Sequence, residues 1–286
     1  MTAQAGVLDD LDSSPGSTTS LLRTIIGVSL RRLGGWIAVA DLVELARAVG
    51  LPEPRTRTAL SRVKAKGLLL PQHRGKIPGY ALAAEATPML ERGDRRIYHP
   101  RSMTERDRWC LISYSVPEEN RDLRHQLRRR LSWIGCGSVS PALWICPEYL
   151  TEEVEEALAE LRLGPNATLF LANEVRGVGD LRDAVTRWWD LVALRSRHDA
   201  FLAAHAEQIR APDATRSPER AFATCIRALD TWRVIPYLDP GLPGSLLPND
   251  WPGNRSVPLF LELRDRLLPH AHAYVEQLDS RAVGDG

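Results

Sequence analysis

The stretch from Arg55 to Lys76 limits the possible folds of this chain more than any other segment. It contains no acidic residue, and its seven basic residues are Arg55, Arg57, Arg62, Lys64, Lys66, Arg74 and Lys76. The first half, up to Gly67, has the apolar spacing of an amphipathic helix, and the second half has that of two short strands around a polar turn. A basic helix followed by a basic hairpin is typical of a winged helix that enters a groove of duplex DNA.

The basic charge is concentrated near the N-terminus. Residues 20–101 carry fifteen Lys or Arg and six Asp or Glu, a net charge of +9, although the whole chain has a net charge of only +1. The rest of the chain is therefore slightly acidic. This distribution indicates one domain that binds a polyanion, attached to a larger body that does not. The alternative interpretation of such a charge run is an ordinary solvated surface.

Length and composition are typical of a globular protein with two or three domains. Hydrophobic residues make up 44% of the chain, and no apolar run approaches the length of a membrane span. The four cysteines form neither a C-x-x-C pair nor a zinc-ligand spacing, and the N-terminus lacks the features of an export signal. We therefore expect a cytoplasmic, nucleoid-associated protein with no metal, no cofactor and no membrane partner.

The pattern around the basic stretch predicts a winged helix-turn-helix domain over residues 18–100, after a disordered tail over residues 1–17. Capping and turn residues set the limits of its elements, because Pro favours the first turn of a helix and Gly favours its end. The expected helices run from Leu22 to Leu33, Asp41 to Val49, Pro54 to Lys66 and Glu85 to Arg96; the expected strands cover 36–39, 68–72 and 80–83. The wing is predicted over residues 73–79.

The third of these helices has two distinct faces. At 100° per residue, the side chains of Thr56, Ala59, Leu60 and Val63 share one side. The other side combines hydroxyls with long basic residues, whereas a solvated surface helix would more often alternate Glu with Lys. We therefore predict that this helix lies in a major groove. The predicted DNA contacts are Arg55, Arg57, Thr58, Ser61, Arg62, Lys64, Lys66, Arg74 and Lys76.

These contacts are expected to divide into base readers and phosphate contacts. Arg57, Ser61 and Arg62 are predicted to read base edges, because one Arg can bond two guanine acceptors at once. Hydroxyls and cations that bond to phosphates fix the position of a protein on the duplex. The predicted phosphate contacts are Arg55, Thr58, Lys64 and Lys66, and the predicted minor-groove contact from the wing is Arg74 or Lys76.

Two further domains are expected after the winged helix, which makes the chain an α+β multidomain protein. Residues 101–177 have the order β-α-β-β-α-β, which is that of a ferredoxin-like domain. Residues 178–286 are mainly helical. The pattern from Asp180 to Ile209 fits either one long helix or two helices with a break; Ser217 begins another helix, and a terminal helix covers Val257 to Leu278.

A series of short motifs supports a family resemblance from Ser20 onward, over nearly the whole chain. The main ones are Gly34-Gly-Trp36, Arg57-Thr-Ala-Leu-Ser-Arg62, Arg95-Arg-Ile-Tyr98, Tyr114-Ser-Val-Pro-Glu118, Trp144-Ile-Cys-Pro147 and the loop from Pro236 to Gly253. In this order and spacing they resemble the phenylacetate-catabolism repressor family, the PaaX-like regulators. Each motif alone is weak, and their combination is specific.

The resemblance implies a winged-helix DNA-binding domain, a central Cas2-like ferredoxin fold that contributes to dimerisation, and a family-specific C-terminal helical domain. It also implies a homodimeric repressor that leaves its double-stranded DNA operator when an aromatic acyl-CoA binds, phenylacetyl-CoA in the best-known members. The residues expected to contact this effector are Trp188, Trp232, Arg233 and Trp251.

One segment departs from the family pattern. The family often has His-Glu-Tyr-Arg before its Pro-Tyr or Pro-Phe loop, and this chain has Asp230-Thr-Trp-Arg233 there. If this segment lines the effector pocket, the departure leaves room for an inducer other than phenylacetyl-CoA.

Two other functions stay open at this point. Cas2-like folds include metal-dependent nucleases, which use an Asp at the end of the first strand; this chain has Ser113-Tyr-Ser115 there, and serine cannot supply the carboxylate that Mg²⁺ needs. A transcriptional activator that responds to a different small molecule is also compatible with the sequence. No nucleophile-elbow, Walker A or zinc-protease motif occurs, so no residue is predicted to be catalytic.

Overall fold

The structure is a computed structural model of the 286-residue chain, and it describes residues 14–176, 179–208 and 217–284. The chain forms two compact units. The first unit is built from Met1–Tyr98, Phe201–Val234 and Arg255–Gly286, and the second from His99–Ala200 and Ile235–Asn254. The tail predicted over residues 1–17 lies mostly outside the described residues, and so does Ile209.

The first unit begins with four helices and a small sheet. Its elements are α1 (Thr18–Ser29), β1 (Trp36–Ala38), α2 (Val39–Ala48), α3 (Glu53–Ala65), β2 (Leu69–Arg74), β3 (Ile77–Leu82) and α4 (Thr87–Tyr98). The three strands form an antiparallel sheet in the order β1-β3-β2. Three helices followed by a β2–β3 hairpin is the arrangement expected from the sequence for a winged helix.

The wing differs from the prediction in one respect. The sequence suggested a loop over residues 73–79, but His73 and Arg74 continue β2, and Ile77 and Pro78 begin β3. Only Gly75 and Lys76 therefore connect the two strands. Only these strand ends were missed, because His73, Arg74, Ile77 and Pro78 are all exposed and the apolar alternation that identifies a half-buried strand is absent there.

Helix α1 is buried on almost every side, since nine of its twelve residues are buried. Ser17 caps its N-terminus with a hydrogen bond from the Ser20 backbone N–H. A helix on the surface of a small domain usually buries one stripe only. The second buried side of α1 is covered by a helix from the distant C-terminal part of the chain, α9 (Pro218–Trp232).

An aromatic cluster forms the core of the C-terminal part of the first unit. The ring of Trp232 stacks on Phe260 with 4.4 Å between centroids and lies 5.1 Å from the ring of Phe201. Its indole N–H donates a hydrogen bond of 3.1 Å to the backbone carbonyl of Ile97 at the end of α4. Aromatic burial of this kind stabilises a core, and the hydrogen bond satisfies the indole nitrogen.

The second unit contains a four-stranded antiparallel sheet with two helices between its strands. Its elements are β4 (Trp109–Tyr114), α5 (Arg121–Ile134), β5 (Gly137–Ser140), β6 (Leu143–Pro147), α6 (Thr151–Glu160), β7 (Ala167–Ala172) and α7 (Leu181–Trp188). The sheet order β5-β6-β4-β7 places the first and third strands in the centre. The predicted ferredoxin-like order β-α-β-β-α-β is therefore confirmed.

Each face of this sheet has its own hydrophobic core. Cys110 and Ile112 point toward α5 and α6, because alternate residues of a strand face opposite sides. Trp109 points to the other face, where it joins Trp189 and the Pro/Gly-rich loop that follows residue 238. Leu242, Leu247 and Trp251 of this loop are buried, which explains why its sequence is too apolar for a plain linker.

The last helices complete both units. Of the segment predicted from Asp180 to Ile209, the described residues form two helices, α7 and α8 (Leu191–His205), so the alternative with a break is the one observed. A short turn, α10 (Ile235–Leu238), precedes the loop, and α11 (Gly253–Gly284) is the terminal helix. Residues 178–286 contribute to both units, while the three domains expected from the sequence stay a prediction.

Candidate nucleic-acid interface

Helix α3 is held in the first unit by one apolar face. Thr56, Ala59, Leu60 and Val63 are its buried residues, as predicted. Gly67 ends the helical segment with a φ of +76°, a conformation that a side chain would strain. The helix is therefore anchored along one side and presents its other side outward.

The predicted DNA contacts occupy the outer side of α3 and the hairpin. Arg55, Arg57, Thr58, Ser61 and Arg62 are exposed, and Lys64 and Lys66 are half-buried. Arg74, at the end of β2, and Lys76, in the turn, are exposed. All nine residues thus lie in the first unit, on α3, at Lys66 directly after it, or on the β2–β3 hairpin.

One of these arginines has a carboxylate partner. The Arg57 side chain donates to Glu53, with Nε at 2.9 Å and the nearer terminal nitrogen at 2.7 Å from Oε1. Glu53 lies two residues before the acid-free stretch, so the charge pattern of that stretch does not reveal this ion pair. Both side chains are more than half exposed. An exposed pair at this spacing contributes at most about 0.5 kcal/mol, so a phosphate or a guanine can replace Glu53 at little cost.

The two hydroxyls on the outer side of α3 bond to its own backbone. Thr58 Oγ1 donates to the Pro54 carbonyl at 3.0 Å, and Ser61 Oγ donates to the Arg57 carbonyl at 3.2 Å. Both oxygens keep lone pairs that can accept a hydrogen bond. Either hydroxyl must turn away from the helix before it can donate to DNA, so these residues are weaker candidates than the arginines.

Two aromatic residues that sequence reasoning had not assigned to the site hold basic side chains in place. The Arg74 guanidinium lies 4.6 Å from the centre of the Trp36 ring, and the Lys64 ammonium lies 5.6 Å from the centre of the Tyr80 ring. Contacts of this type are attractive because the face of an aromatic ring is negative. Trp36 lies on β1 beside the hairpin and Tyr80 on β3 within it, and no local pattern links them to the cations they contact.

Trp36 is itself fixed by the hairpin. Its indole N–H donates to the Gln72 carbonyl at 3.2 Å. A Cβ placed on Gly79 would come within 2.3 Å of the Trp36 ring, so only glycine allows this approach. Trp36 therefore packs against the β2–β3 hairpin and contacts Arg74 at the end of β2.

The four residues expected to contact an effector are divided between the two units. Trp188 and Trp251 belong to the second unit, where Trp251 is buried in a core and Trp188 packs against that core. Trp232 and Arg233 belong to the first unit, and Trp232 is only 1% exposed. Within either unit, therefore, at most two of the four lie together.

The segment that departs from the family pattern holds α9 against α1. Asp230 is fully buried and accepts hydrogen bonds from Ser20 Oγ at 2.5 Å, Thr24 Oγ1 at 3.0 Å and the Gly16 backbone N–H at 2.6 Å. A terminal nitrogen of Arg233 donates to Ser20 Oγ at 2.7 Å. We call these side chains the Asp230 clamp: Ser20 and Thr24 of α1, Asp230 of α9, and Arg233 directly after α9. Helix α1, near the N-terminus, is thus hydrogen-bonded to α9 in the C-terminal part of the chain.

The described residues form neither a metal site nor a membrane span. Over residues 14–176, 179–208 and 217–284, no group of three or more His, Cys, Asp or Glu side chains is placed to hold a metal ion. Within the same part of the chain, no helix is long and apolar enough to cross a bilayer. Burial raises the pKa of the Cys225 thiol to about 12, so this cysteine is not an activated nucleophile.

Comparison with known proteins gives a consistent result over most of the chain. Three family models match it: PaaX-like protein over residues 17–86, PaaX protein central Cas2-like domain over 103–185, and PaaX-like protein C-terminal domain over 189–277. The transcriptional repressor PaaX of Escherichia coli (strain K12) is 26% identical over 281 residues, which cover 96% of this chain and 88% of that protein.

A solved structure shares the fold. The uncharacterized protein Rv0674 from Mycobacterium tuberculosis aligns with a TM-score of 0.53 and 21% identity, over 88% of this chain and 97% of that one. At this identity the likeness shows the fold alone. The three family models follow one another along the chain without overlap, and the motifs found in the sequence fall within them or beside them. The chain belongs to the PaaX-like family of transcriptional regulators.

Proposed function

We propose that this protein is a DNA-binding transcriptional repressor that acts as a homodimer in the cytoplasm. The observation that carries the proposal is the exposed basic surface formed by α3 and the β2–β3 hairpin, whose buried side anchors it in the first unit. The similarity to a transcriptional repressor over 96% of the chain supports the same assignment. A cationic helix of this kind fits the major groove, which is wide enough to admit it.

In this proposal Arg57, Ser61 and Arg62 contact base edges, and the flanking basic residues contact phosphates. Arg57 exchanges Glu53 for the DNA, while Arg74 is presented by Trp36 at the edge of the wing. A dimer would place two such surfaces about 34 Å apart on one side of the duplex, so the operator would be an inverted repeat.

Binding to the DNA upstream of the protein's own gene tests the proposal. Replacing Arg57 or Arg62 by Ala should cost about 1–3 kcal/mol of operator binding and reduce the preference over unrelated duplex. Replacing Lys66 should weaken binding to all DNA alike and flatten the salt dependence by about one unit. Arg187→Ala, which removes an exposed arginine from α7 in the second unit, is the matched control and should change neither.

Two outcomes separate repression from its alternatives. A reporter driven by the upstream DNA should be expressed more strongly without the protein if it represses, and less strongly if it activates. Cleavage of DNA or RNA in the presence of Mg²⁺ or Mn²⁺ would instead favour the nuclease interpretation. Equal affinity of the Arg57→Ala variant and the unchanged protein for the operator would refute the groove assignment.

We further propose that an aromatic acyl-CoA such as phenylacetyl-CoA releases the repressor from DNA. The family resemblance is the support for this step, and the residues proposed to contact the ligand fall into two separate pairs: Trp188 with Trp251 in the second unit, and Trp232 with Arg233 in the first. Release requires that the ligand prefer the arrangement of the dimer that does not bind DNA. Isothermal titration calorimetry with phenylacetyl-CoA and with free CoA tests it, and no binding of any aromatic acyl-CoA would refute it.

A further inference from the structure

A cavity of about 490 Å³ lies in the first unit between α1, α4 and α11. Its size is within the range of sites that bind small molecules. Val28, Leu268 and Tyr98 are the apolar and aromatic residues of its lining, and Arg31, Arg32 and His272 are the lining residues with nitrogen-bearing side chains. Burial raises the pKa of the Tyr98 phenol, which therefore stays neutral at physiological pH.

Both arginines of the cavity are held by carboxylates from other helices, but in different ways. Arg31 binds Asp94 with two parallel bonds of 2.6 and 2.7 Å, one to each carboxylate oxygen. Arg32 donates from Nε at 3.1 Å and from a terminal nitrogen at 2.8 Å to one oxygen of Glu276. An arginine that bonds both carboxylate oxygens forms the stronger ion pair, so the Arg32–Glu276 pair is weaker than the Arg31–Asp94 pair.

The Arg32–Glu276 pair is also the more exposed one. The side chains of Arg32 and Glu276 are 46% and 54% exposed, against 31% and 38% for Arg31 and Asp94. Ion pairs with this exposure contribute little, so a competing anion can open them. A free carboxylate or phosphate can meet the Arg32 fork with two oxygens, which Glu276 does not do.

We propose that this cavity binds a small organic anion, whose charged head replaces Glu276 on Arg32 and whose apolar body lies against Val28 and Leu268. Asp94 stays on Arg31, so the cavity keeps one fixed ion pair and gains one ligand contact. His272 lies in the same lining and can share a hydrogen bond with the anionic head.

Occupation of the cavity has a structural consequence. Arg32 follows α1, and Glu276 belongs to α11, so the ligand removes a link between the beginning and the end of the chain within the first unit. The regulatory meaning of this change rests on the proposed function, because α1 supports the helix proposed to bind DNA. Binding of the anion does not rest on it and can be measured without DNA.

The test is isothermal titration calorimetry of the full chain with benzoate, hexanoate, inorganic phosphate and coenzyme A as probes. Arg32→Gln should lower the affinity for the probe that binds about tenfold, because it removes a charge-assisted contact. Glu276→Gln should raise the affinity for the same probe about two- to fivefold, because it removes the competing carboxylate. Opposite effects of the two substitutions on probe affinity indicate a ligand contact. If the ion pair had only a structural role, both substitutions would lower probe affinity.

Glu44→Gln, at an exposed ion pair with Arg47 elsewhere in the first unit, is the matched control and should leave probe affinity unchanged. Thermal unfolding followed by circular dichroism confirms that each variant is folded. Binding of the carboxylates alone identifies a free acid as the ligand, and binding of phosphate or coenzyme A identifies a phosphate group; both support the site. The proposal is overturned if no probe binds the unchanged protein or Glu276→Gln, or if Arg32→Gln binds as well as the unchanged protein. DNA affinity, measured separately, reports on the proposed function independently.

Discussion

The Asp230 clamp gives a prediction whose size follows from the structure. In Asp230→Ala, the carboxylate that receives the hydroxyls of Ser20 and Thr24 is removed, and the Arg233 side chain, only 12% exposed, loses its nearby negative charge. Removal of one partner from a buried charged pair costs about 3–5 kcal/mol, because the other charge stays buried without compensation. Since total stability is typically about 5–15 kcal/mol, this variant should unfold the first unit at markedly lower denaturant concentration.

A graded series shows whether the cost belongs to the clamp. Asp230→Asn keeps an oxygen that accepts hydrogen bonds and should lose about 1–3 kcal/mol, whereas Ser20→Ala should lose about 1 kcal/mol. The double variant Ser20→Ala/Asp230→Asn should lose less than the two losses added together, because both substitutions break the same hydrogen bond. Glu91→Ala, on the exposed surface of α4, is the control and should change stability by less than about 0.5 kcal/mol.

Urea unfolding and hydrogen exchange together provide the assay. Urea unfolding gives the free energy, and mass spectrometry of exchanged peptides shows whether the backbone amides of α1 lose protection in step with it. A loss below about 1 kcal/mol for Asp230→Ala, or unchanged protection of α1, would refute the view that the far end of the chain stabilises the first helix.

Three further predictions concern the wing and a buried histidine. Gly79→Ala should lower the stability of the first unit by about 1–3 kcal/mol in thermal unfolding, because the new methyl group meets the Trp36 ring, whereas Gly164→Ala meets nothing within 4 Å and should be tolerated. Trp36→Leu should weaken binding to any duplex about two- to fivefold by fluorescence anisotropy, because Arg74 loses its aromatic contact; equal affinity would contradict this role. Burial lowers the pKa of His205 below its ordinary value, so its contribution to stability is complete above about pH 6.5 and is lost as the pH falls through the lower folded-state pKa. His205→Gln should therefore flatten the decline in stability below about pH 6.5 in urea unfolding, and parallel pH profiles would speak against it.

Features that depend on neighbouring residues were predictable. The two faces of α3 follow from residue spacing, since Thr56, Ala59, Leu60 and Val63 recur with the helical period and are buried. Gly67 ends this helix because a positive φ suits glycine. The strand order of the second unit follows from a ferredoxin-like succession of elements, which allows few arrangements.

Features that depend on distant residues were not predictable. Asp230 meets Ser20 across 210 positions, and nothing in the local pattern of either helix indicates that they touch. Ser17 caps the first helix, and the Ser20 hydroxyl belongs to the clamp instead. Similarly, the pairing of Arg57 with Glu53 depends on a side chain just outside the basic stretch that drew attention to this region.

The salt dependence of DNA binding by the full chain tests the central claim most directly. Fluorescence anisotropy with a duplex from the upstream region should show affinity that falls steeply with salt concentration for the unchanged protein. The variant Arg57→Ala/Arg62→Ala should bind more weakly at every salt concentration and with a shallower slope, because two cations no longer reach the DNA. Equal affinity and equal slope for the two proteins would contradict the assignment of α3 as the DNA-binding helix.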